Sequence, residues 1–283
     1  MCGRFANSST DRDLVAAFAV AETVGDQLPP SWNVAPTQQV RVVLDRLPRS
    51  SRHDPDPATH TGADAADAAD AEGPVRQLRS VRWGLVPSWA KDVRIGARLV
   101  NARAETITEK PAFKAAAARR RCLVPADGYY EWEARPDTKS KQAWYLHRGD
   151  ALLAFAGLYE LWPDPTLDRD DPARWVWSCT VLTTTAPDAL GHVHDRSPVL
   201  LTPELAARWL DPTLTDPAQV RELVDAVPEP LLEPTAVSAA VGNVRNDGPE
   251  LVRPVAGAGS ATAAGSGTAV GSGTAAGSGT AAG

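Results

Sequence analysis

Six stretches of this chain are dense in apolar, β-branched and aromatic residues: QVRVVLDRL (39–47), QLRSVRWGL (77–85), RCLVPA (121–126), AWYLHR (143–148), ALLAFAGLY (151–159) and WVWSCTVLTTT (175–185). Such segments read as β-strands. Helical signals are fewer. Thr10 followed by Asp13 resembles a capping box, and Leu14, Val15 and Phe18 form a helical stripe, which predicts a helix over about 11–20. Pro111, Pro203 and Pro217 each suit a first helical position, ahead of FKAAAARR, ELAARWL and AQVRELVDAV. Strands and helices do not alternate one for one, which argues against a doubly wound parallel sheet. The expectation is an α+β fold: a strand-rich, mixed, barrel-like sheet with short flanking helices. PDPTLDRDDPAR (163–174) reads as a loop between two strands.

Two segments of the 283 residues offer little to a core. Residues 256–283 contain only Ala, Gly, Ser, Thr and Val and end in GSGTA repeats, which is the composition of a disordered tail. Residues 53–75 (HDPDPATHTGADAADAADAEGPV) hold six acids and no Lys or Arg, and read as a disordered acidic insertion. One domain, 2–254, is expected to remain around that insertion. The insertion also accounts for the whole formal charge of −6, so the rest is neutral and a nucleic-acid partner is not excluded. There is no run of 18 apolar residues and no apolar stretch after Met1, so neither a membrane span nor a secretory signal is expected. Three cysteines without a CxxC pair argue against a disulfide framework or a structural zinc site, and the His192/His194 pair in GHVHD is a weak metal signal. No metal or organic cofactor is expected.

The chemistry begins at Cys2. A small second residue permits removal of Met1, which would leave a cysteine with a free α-amine. The amine titrates at about 7.7–8.0 and the thiol at about 8.5, so both are partly nucleophilic near neutral pH. Aldehydes are the natural target of such a 1,2-aminothiol: the amine forms a Schiff base, and the thiol closes a five-membered thiazolidine. The alternative target is an amide or ester carbonyl attacked by the thiolate. Taken alone, Cys2 could equally be a small buried residue at a chain end.

Its company favours function. MCGRF, WNVAPTQ (32–38), RWGLVPSWA (82–90), NARAET (101–106), CLVPADGYYEW (122–132), FAGLYELW (155–162) and HDRSPVLL (194–201) follow one another as dense polar-aromatic clusters. In these motifs the chain resembles the SRAP family, the SOS-response-associated proteins that protect abasic sites in single-stranded DNA. The resemblance runs from residue 2 to about 254, outside the insertion. It implies a Cys2 nucleophile that crosslinks to the sugar aldehyde, with Asn101 positioning the reacting groups and Glu131 and His194 as the active-site carboxyl and imidazole. Carbinolamine dehydration needs a proton donor and ring closure needs a base, and these two side chains can divide the tasks. Singly, Glu131 could form a salt bridge, Asn101 could cap a turn, and His194 could be structural.

For the strand itself, Arg4, Arg103 and Arg196, one or two residues from the proposed catalytic groups, and the flat side chain of Trp83 are the expected contacts, and the resemblance adds Asn33 and Pro36 of WNVAPTQ as a pocket motif. Arginines would meet phosphates, and Trp83 or Trp89 would stack on bases or wedge a duplex end, unless Trp83 is a core residue. The expected partner is single-stranded DNA carrying abasic sites, met by a monomer in the cytoplasm, at the nucleoid. One departure is Ser197 after HDR, where the family usually has Met. An N-terminal-nucleophile amidohydrolase, which also begins Met-Cys-Gly, is the rival reading. A passive DNA-binding module and a peptidase that does no more than remove Met1 are the others.

Overall fold

A computed structural model describes residues 2–47, 73–135, 140–186 and 195–255. The strands, in chain order, are β1 (Phe5–Asn7), β2 (Glu22–Val24), β3 (Ser31–Val34), β4 (Gln39–Arg46), β5 (Val75–Trp83), β6 (Asn101–Arg103) and β7 (Arg121–Ala126). They continue with β8 (Gly128–Ala134), β9 (Lys141–His147), β10 (Leu153–Pro163), β11 (Trp175–Thr185), β12 (Arg196–Pro198) and β13 (Glu233–Val237). The six strands expected from sequence are all present, with ends shifted by a few residues. Residues 163–174 form the connection between β10 and β11, with a short 3-10 turn at Pro172–Arg174. The acidic insertion, apart from its last three residues, and the 256–283 tail lie outside the described residues.

Five strands close on themselves. β4 pairs with β5 and β7, β7 with β10, and β10 with β11, all antiparallel. A short parallel pairing of Ser178 and Cys179 on β11 with Arg82 and Trp83 on β5 completes the ring. Closure leaves these strands with paired edges, and their alternation separates two cores. Val42 and Leu44, Val81 and Trp83, Val124, Phe155 and Val181 pack into one cluster. The opposite faces, with Val43, Leu78, Leu123, Leu158 and Leu182, pack against Ala116, Trp209 and Val220 from the helices. The fold is therefore α+β and barrel-like, as the strand pattern predicts.

The helices start and stop for local reasons. Thr10 caps Asp11–Phe18 with the reciprocal Thr10–Asp13 capping box. Pro203 and Pro217 lie in the first turns of Pro203–Leu210 and Pro217–Asp225, capped by Thr202 and Asp216. Pro111 does not open a helix. The segment after it becomes helical only at Lys114–Arg119, following a turn.

A second sheet, ordered β13-β9-β8-β1-β3, grows out of the barrel because β7 runs into β8 with only Asp127 between them. Asp127 secures the joint: its carboxylate accepts from the Ser8 N–H at 2.6 Å, and its own N–H donates to the Ala6 carbonyl at 2.8 Å. The exit from β5 is fixed by two glycines in contact. A Cβ on Gly84 would lie 2.6 Å from the Gly96 carbonyl oxygen, and Gly84 adopts φ +128°, so the chain between them passes where a side chain cannot. That segment delivers Asn101.

Arg121 ties the helices to the barrel. Its guanidinium is buried, donates to the carbonyls of Trp209 (2.7 Å), Ala117 (2.7 Å) and Ala118 (3.0 Å) as well as Asp211, and lies 5.6 Å from the Trp209 ring centroid. Burial lowers its pKa to about 10, so it stays charged at neutral pH. The C-terminal ends of two helices, where carbonyls lack helical partners, thus share one cation. Arg121→Met is expected to destabilise the fold by about 3 kcal/mol, and Arg121→Lys by a similar amount because an ammonium cannot reproduce the fork. Urea unfolding checks both, and a loss below about 1 kcal/mol would show that the carbonyls find other partners.

Candidate active site

The register of the second sheet decides what surrounds the N-terminus. On β1 and β8, Phe5 faces Tyr129 and Ala6 faces Gly128, and the Tyr130 N–H donates to the Arg4 carbonyl at 2.9 Å. Extending that antiparallel register places Glu131 opposite Gly3, one residue from Cys2. The other side is supplied by β6, which pairs in parallel with β11. From its first residue the Asn101 side-chain amide donates to the Cys2 carbonyl at 2.7 Å, across 99 positions of sequence. Two unrelated strands therefore hold Cys2 in place. Cys2, Asn101 and Glu131 are brought together as the motifs anticipate.

This is a buried, polar site. Cys2 is fully buried, and its thiol lies 4.0 Å from the Arg4 carbonyl. Burial, and then the neighbouring Glu131 charge, push the thiol well above its usual range. Glu131 is 3 % exposed, and burial, assisted by the Asp195 charge, raises its carboxyl from 4.5 to about 7. A carboxyl with that pKa exchanges a proton near neutral pH, which is what a general acid needs. The Asn101 side-chain oxygen is buried and has no hydrogen-bond partner among the described residues. A buried acceptor without a partner among the described residues calls for an explanation.

His194 lies outside the described residues, which resume at Asp195. The Asp195 carbonyl accepts from the Ala186 N–H at 3.0 Å, just past the end of β11, and the Asp195 charge is among those acting on Glu131. Tyr129 is a neighbour that sequence reasoning did not single out. It is buried, and its hydroxyl is raised by burial and then by the charges of Cys2 and Glu131. The signal was present in GYYEW: two positions apart on β8, Tyr129 and Glu131 share one face of the strand.

The expected strand-binding residues divide into two groups. Arg103 is exposed, on β6 two residues beyond Asn101, and Pro36 is half-exposed in the loop after β3. Next to Pro36, Thr37 takes a left-handed φ of +73°, a strained state for a β-branched residue, held by its N–H to the Trp83 carbonyl at 2.8 Å. Arg4, Asn33 and Arg196 instead have partners within the chain. Arg4 donates to the Asn33 side-chain oxygen at 2.7 Å and to the Val241 carbonyl at 2.9 Å. The buried Asn33 amide donates to the carbonyls of Val241, Asn243 and Asn246, so this pair clamps the 241–246 loop. Arg196 forks onto Glu105 at 2.7 and 2.9 Å.

Trp83 is placed inside the barrel rather than on a surface. It has no exposed area, packs edge-on to Phe5 with ring centroids 5.0 Å apart, and donates its indole N–H to the Val100 carbonyl at 2.9 Å. In this conformation it has no face to offer a base. Trp89, beyond the end of β5, is 59 % exposed and does.

Comparison with known proteins bears on this arrangement. A family model described as SOS response associated peptidase (SRAP) matches residues 1–244. The chain belongs to the SRAP family. Relatives include the abasic site processing protein YoqW of Bacillus subtilis, 35 % identical over 254 residues, covering 89 % of this chain and 99 % of that one. YoaM of the same organism, also an abasic site processing protein, is 34 % identical, with 89 % and 97 % covered. The abasic site processing protein HMCES of Xenopus tropicalis is 28 % identical, with 88 % of this chain and 77 % of that one covered. Among solved structures, a phage-related protein of Bordetella bronchiseptica is 31 % identical with a TM-score of 0.55, over 83 % of this chain and 94 % of its own. A Bacteroides thetaiotaomicron protein gives a TM-score of 0.67 at 20 % identity, with 90 % and 100 % covered, a likeness of fold. Among the described residues no group of three or more His, Cys, Asp or Glu is arranged to hold a metal, and no helix is long and apolar enough to cross a membrane.

The raised Glu131 carboxyl carries a stability consequence. A carboxyl whose folded pKa lies above its unfolded value favours the folded state when protonated, so stability falls as pH rises from about 4.5 through about 7. Glu131→Gln is expected to stabilise the protein by about 3 kcal/mol at pH 8–9 and to leave it unchanged near pH 4. Chemical denaturation at the two pH values reads the difference, and equal effects at both would contradict the raised carboxyl.

Proposed function

We propose that this SRAP protein captures abasic sites in single-stranded DNA by forming a covalent thiazolidine with Cys2. The reading is supported above all by the convergence on one N-terminal residue of the Asn101 amide and a carboxyl that titrates near neutrality. The names of the curated relatives point to the same lesion.

The steps follow from the groups present. Removal of Met1 frees the Cys2 α-amine. The amine attacks the aldehyde carbon of the ring-opened sugar to give a carbinolamine. Glu131, protonated, donates to the departing hydroxyl, which leaves as water and forms the imine. The Cys2 sulfur then attacks the imine carbon, the thiol proton passes to a base, and the nitrogen regains a proton as the ring closes. His194 is assigned that base role. Asn101 fixes the Cys2 carbonyl, and its free side-chain oxygen is suited to accept from the sugar or the amine.

The order of events suits the thiol. Buried as it is, the Cys2 sulfur is a poor thiolate, which disfavours direct attack on an amide and favours an amine-first route in which the thiol reacts with an activated imine. Strand binding is assigned to Arg103, exposed two residues beyond Asn101, for phosphate, and to the exposed Trp89 and half-exposed Pro36 for bases. Arg4, Asn33 and Arg196 act by holding the surrounding loops. The expected cellular role is shielding such lesions during the response to DNA damage.

Untagged protein incubated with an abasic-site oligonucleotide is expected to give an adduct that survives denaturing electrophoresis without reductant. Cys2→Ala should give none, and an N-terminal extension that blocks Met1 removal should abolish it. Glu131→Gln should slow capture by about 10²-fold or more. Undiminished capture by the N-terminally extended protein would overturn the α-amine mechanism.

A further inference from the structure

Trp144 lies beside the reaction centre, and the chemistry assigned to that centre does not use it. The antiparallel register of β8 and β9 sets Glu131 opposite Trp144, Tyr129 opposite Leu146 and Glu133 opposite Gln142. Directly opposed residues of an antiparallel pair point to the same face of the sheet, with Cβ atoms about 4.5–5.5 Å apart. Trp144 therefore stands on the face that carries Glu131, one strand farther from the N-terminal residue. Beyond it, β13 contributes the small Ala236.

Burial along this face runs in one direction. Tyr129 and Leu146 are 1 % exposed and belong to the apolar cluster that contains Cys2. Glu131 is buried, whereas Trp144, Glu133 and Gln142 are all partly exposed. The face passes from core to solvent at the level of Glu131 and Trp144, so the indole stands at the margin of the reaction centre. Glu133 fixes it there: its Oε2 accepts from the Trp144 Nε1–H at 2.8 Å, a diagonal contact across the strand pair. With its single donor engaged, Trp144 has only the carbon and π surface of the ring to offer a ligand. The Glu133 carboxylate beside that ring repels a phosphate. What suits the position is a flat, uncharged group, and in a DNA strand that group is a base.

We infer that Trp144 is a stacking platform for a nucleobase within two nucleotides of the captured abasic site. The inference rests on the strand-binding reading above and adds a contact to it. Position agrees: β1, β8 and β9 are consecutive in their sheet, so Trp144 stands two strand spacings, about 10 Å, from the strand that follows Cys2.

The test uses the full chain and single-stranded oligonucleotides with a tetrahydrofuran abasic analogue, which has no aldehyde and cannot crosslink to Cys2. First, 5-iodouracil is placed in turn at the two positions on either side of the analogue. On irradiation its C5 bonds to an aromatic ring in contact with it, and iodine leaves as HI. Mass spectrometry of the digested product is expected to place the bond on Trp144 from one of these positions. Second, anisotropy reads the affinity of the wild type, Trp144→Phe and Trp144→Ala for the same oligonucleotide and for one in which the base at that position is also removed. Trp144→Ala should weaken binding about tenfold with the base present and leave it unchanged with the base absent, and Trp144→Phe should retain most of the affinity. Photobonding that never reaches Trp144 would overturn the inference. So would a loss in Trp144→Ala that is the same with and without the base, which marks a structural role. Capture of a true abasic oligonucleotide is measured in parallel. Capture without coupling between Trp144 and the base sinks this inference alone, coupling without capture supports it while overturning the crosslink, and no binding of the analogue by the wild type overturns both.

Discussion

Cys2, at the second position of the chain, is held in a fixed place, and the rest of the site depends on that. Chain ends are ordinarily the least ordered part of a domain unless tied down. Here β1 pairs on one side with β8 and on the other with β3, and the Asn101 amide takes the Cys2 carbonyl at 2.7 Å. In the proposed reaction an amine and a thiol on adjacent carbons of a mobile end would meet a carbonyl by chance, whereas a Cys2 held beside Glu131 would present them in a defined geometry.

The barrel makes this holding possible. Closure between β5 and β11 fixes the path out of β5, the contact of Gly84 with Gly96 steers the following segment, and β6 then pairs with β11 so that Asn101 faces Cys2. The same enclosure buries Glu131 and the Cys2 thiol, and both shift against ionisation. A fold optimised for stability alone would not bury a carboxyl there. The burial falls where the proposed reaction calls for a proton donor near neutral pH, and perturbed pKa values of this kind cluster at functional sites.

Much of the architecture is legible in the residues because it is local. The six long strands carry β-branched and aromatic runs, and the helices carry Thr10, Thr202 or Asp216 as caps. The short strands were not readable, since β1, β3 and β6 have three or four residues and owe their existence to partners far along the chain. Cys2, Asn101 and Glu131 could be named from motifs, but their meeting is a product of register. Trp83 and Trp89 show the limit most clearly. They share one motif, yet Trp83 continues the inward alternation of Val81 and points into the barrel, while Trp89 lies past the strand end. Arg4, Asn33 and Arg196 read as free polar groups in sequence, and only the folded chain reveals the carbonyls of 241–246 and the Glu105 carboxylate that occupy them.

The bond chemistry at Cys2 is the central claim, and the most direct measurement is the intact mass of the adduct after denaturation and exhaustive thiol alkylation. The chain has three cysteines. A thiazolidine predicts a mass equal to Met1-less protein plus oligonucleotide minus one water, with alkylation at Cys122 and Cys179 only. An adduct alkylated at all three cysteines would be an open imine, and one retaining the water would be a thiohemiacetal or carbinolamine. Either result would contradict ring closure by the N-terminal aminothiol.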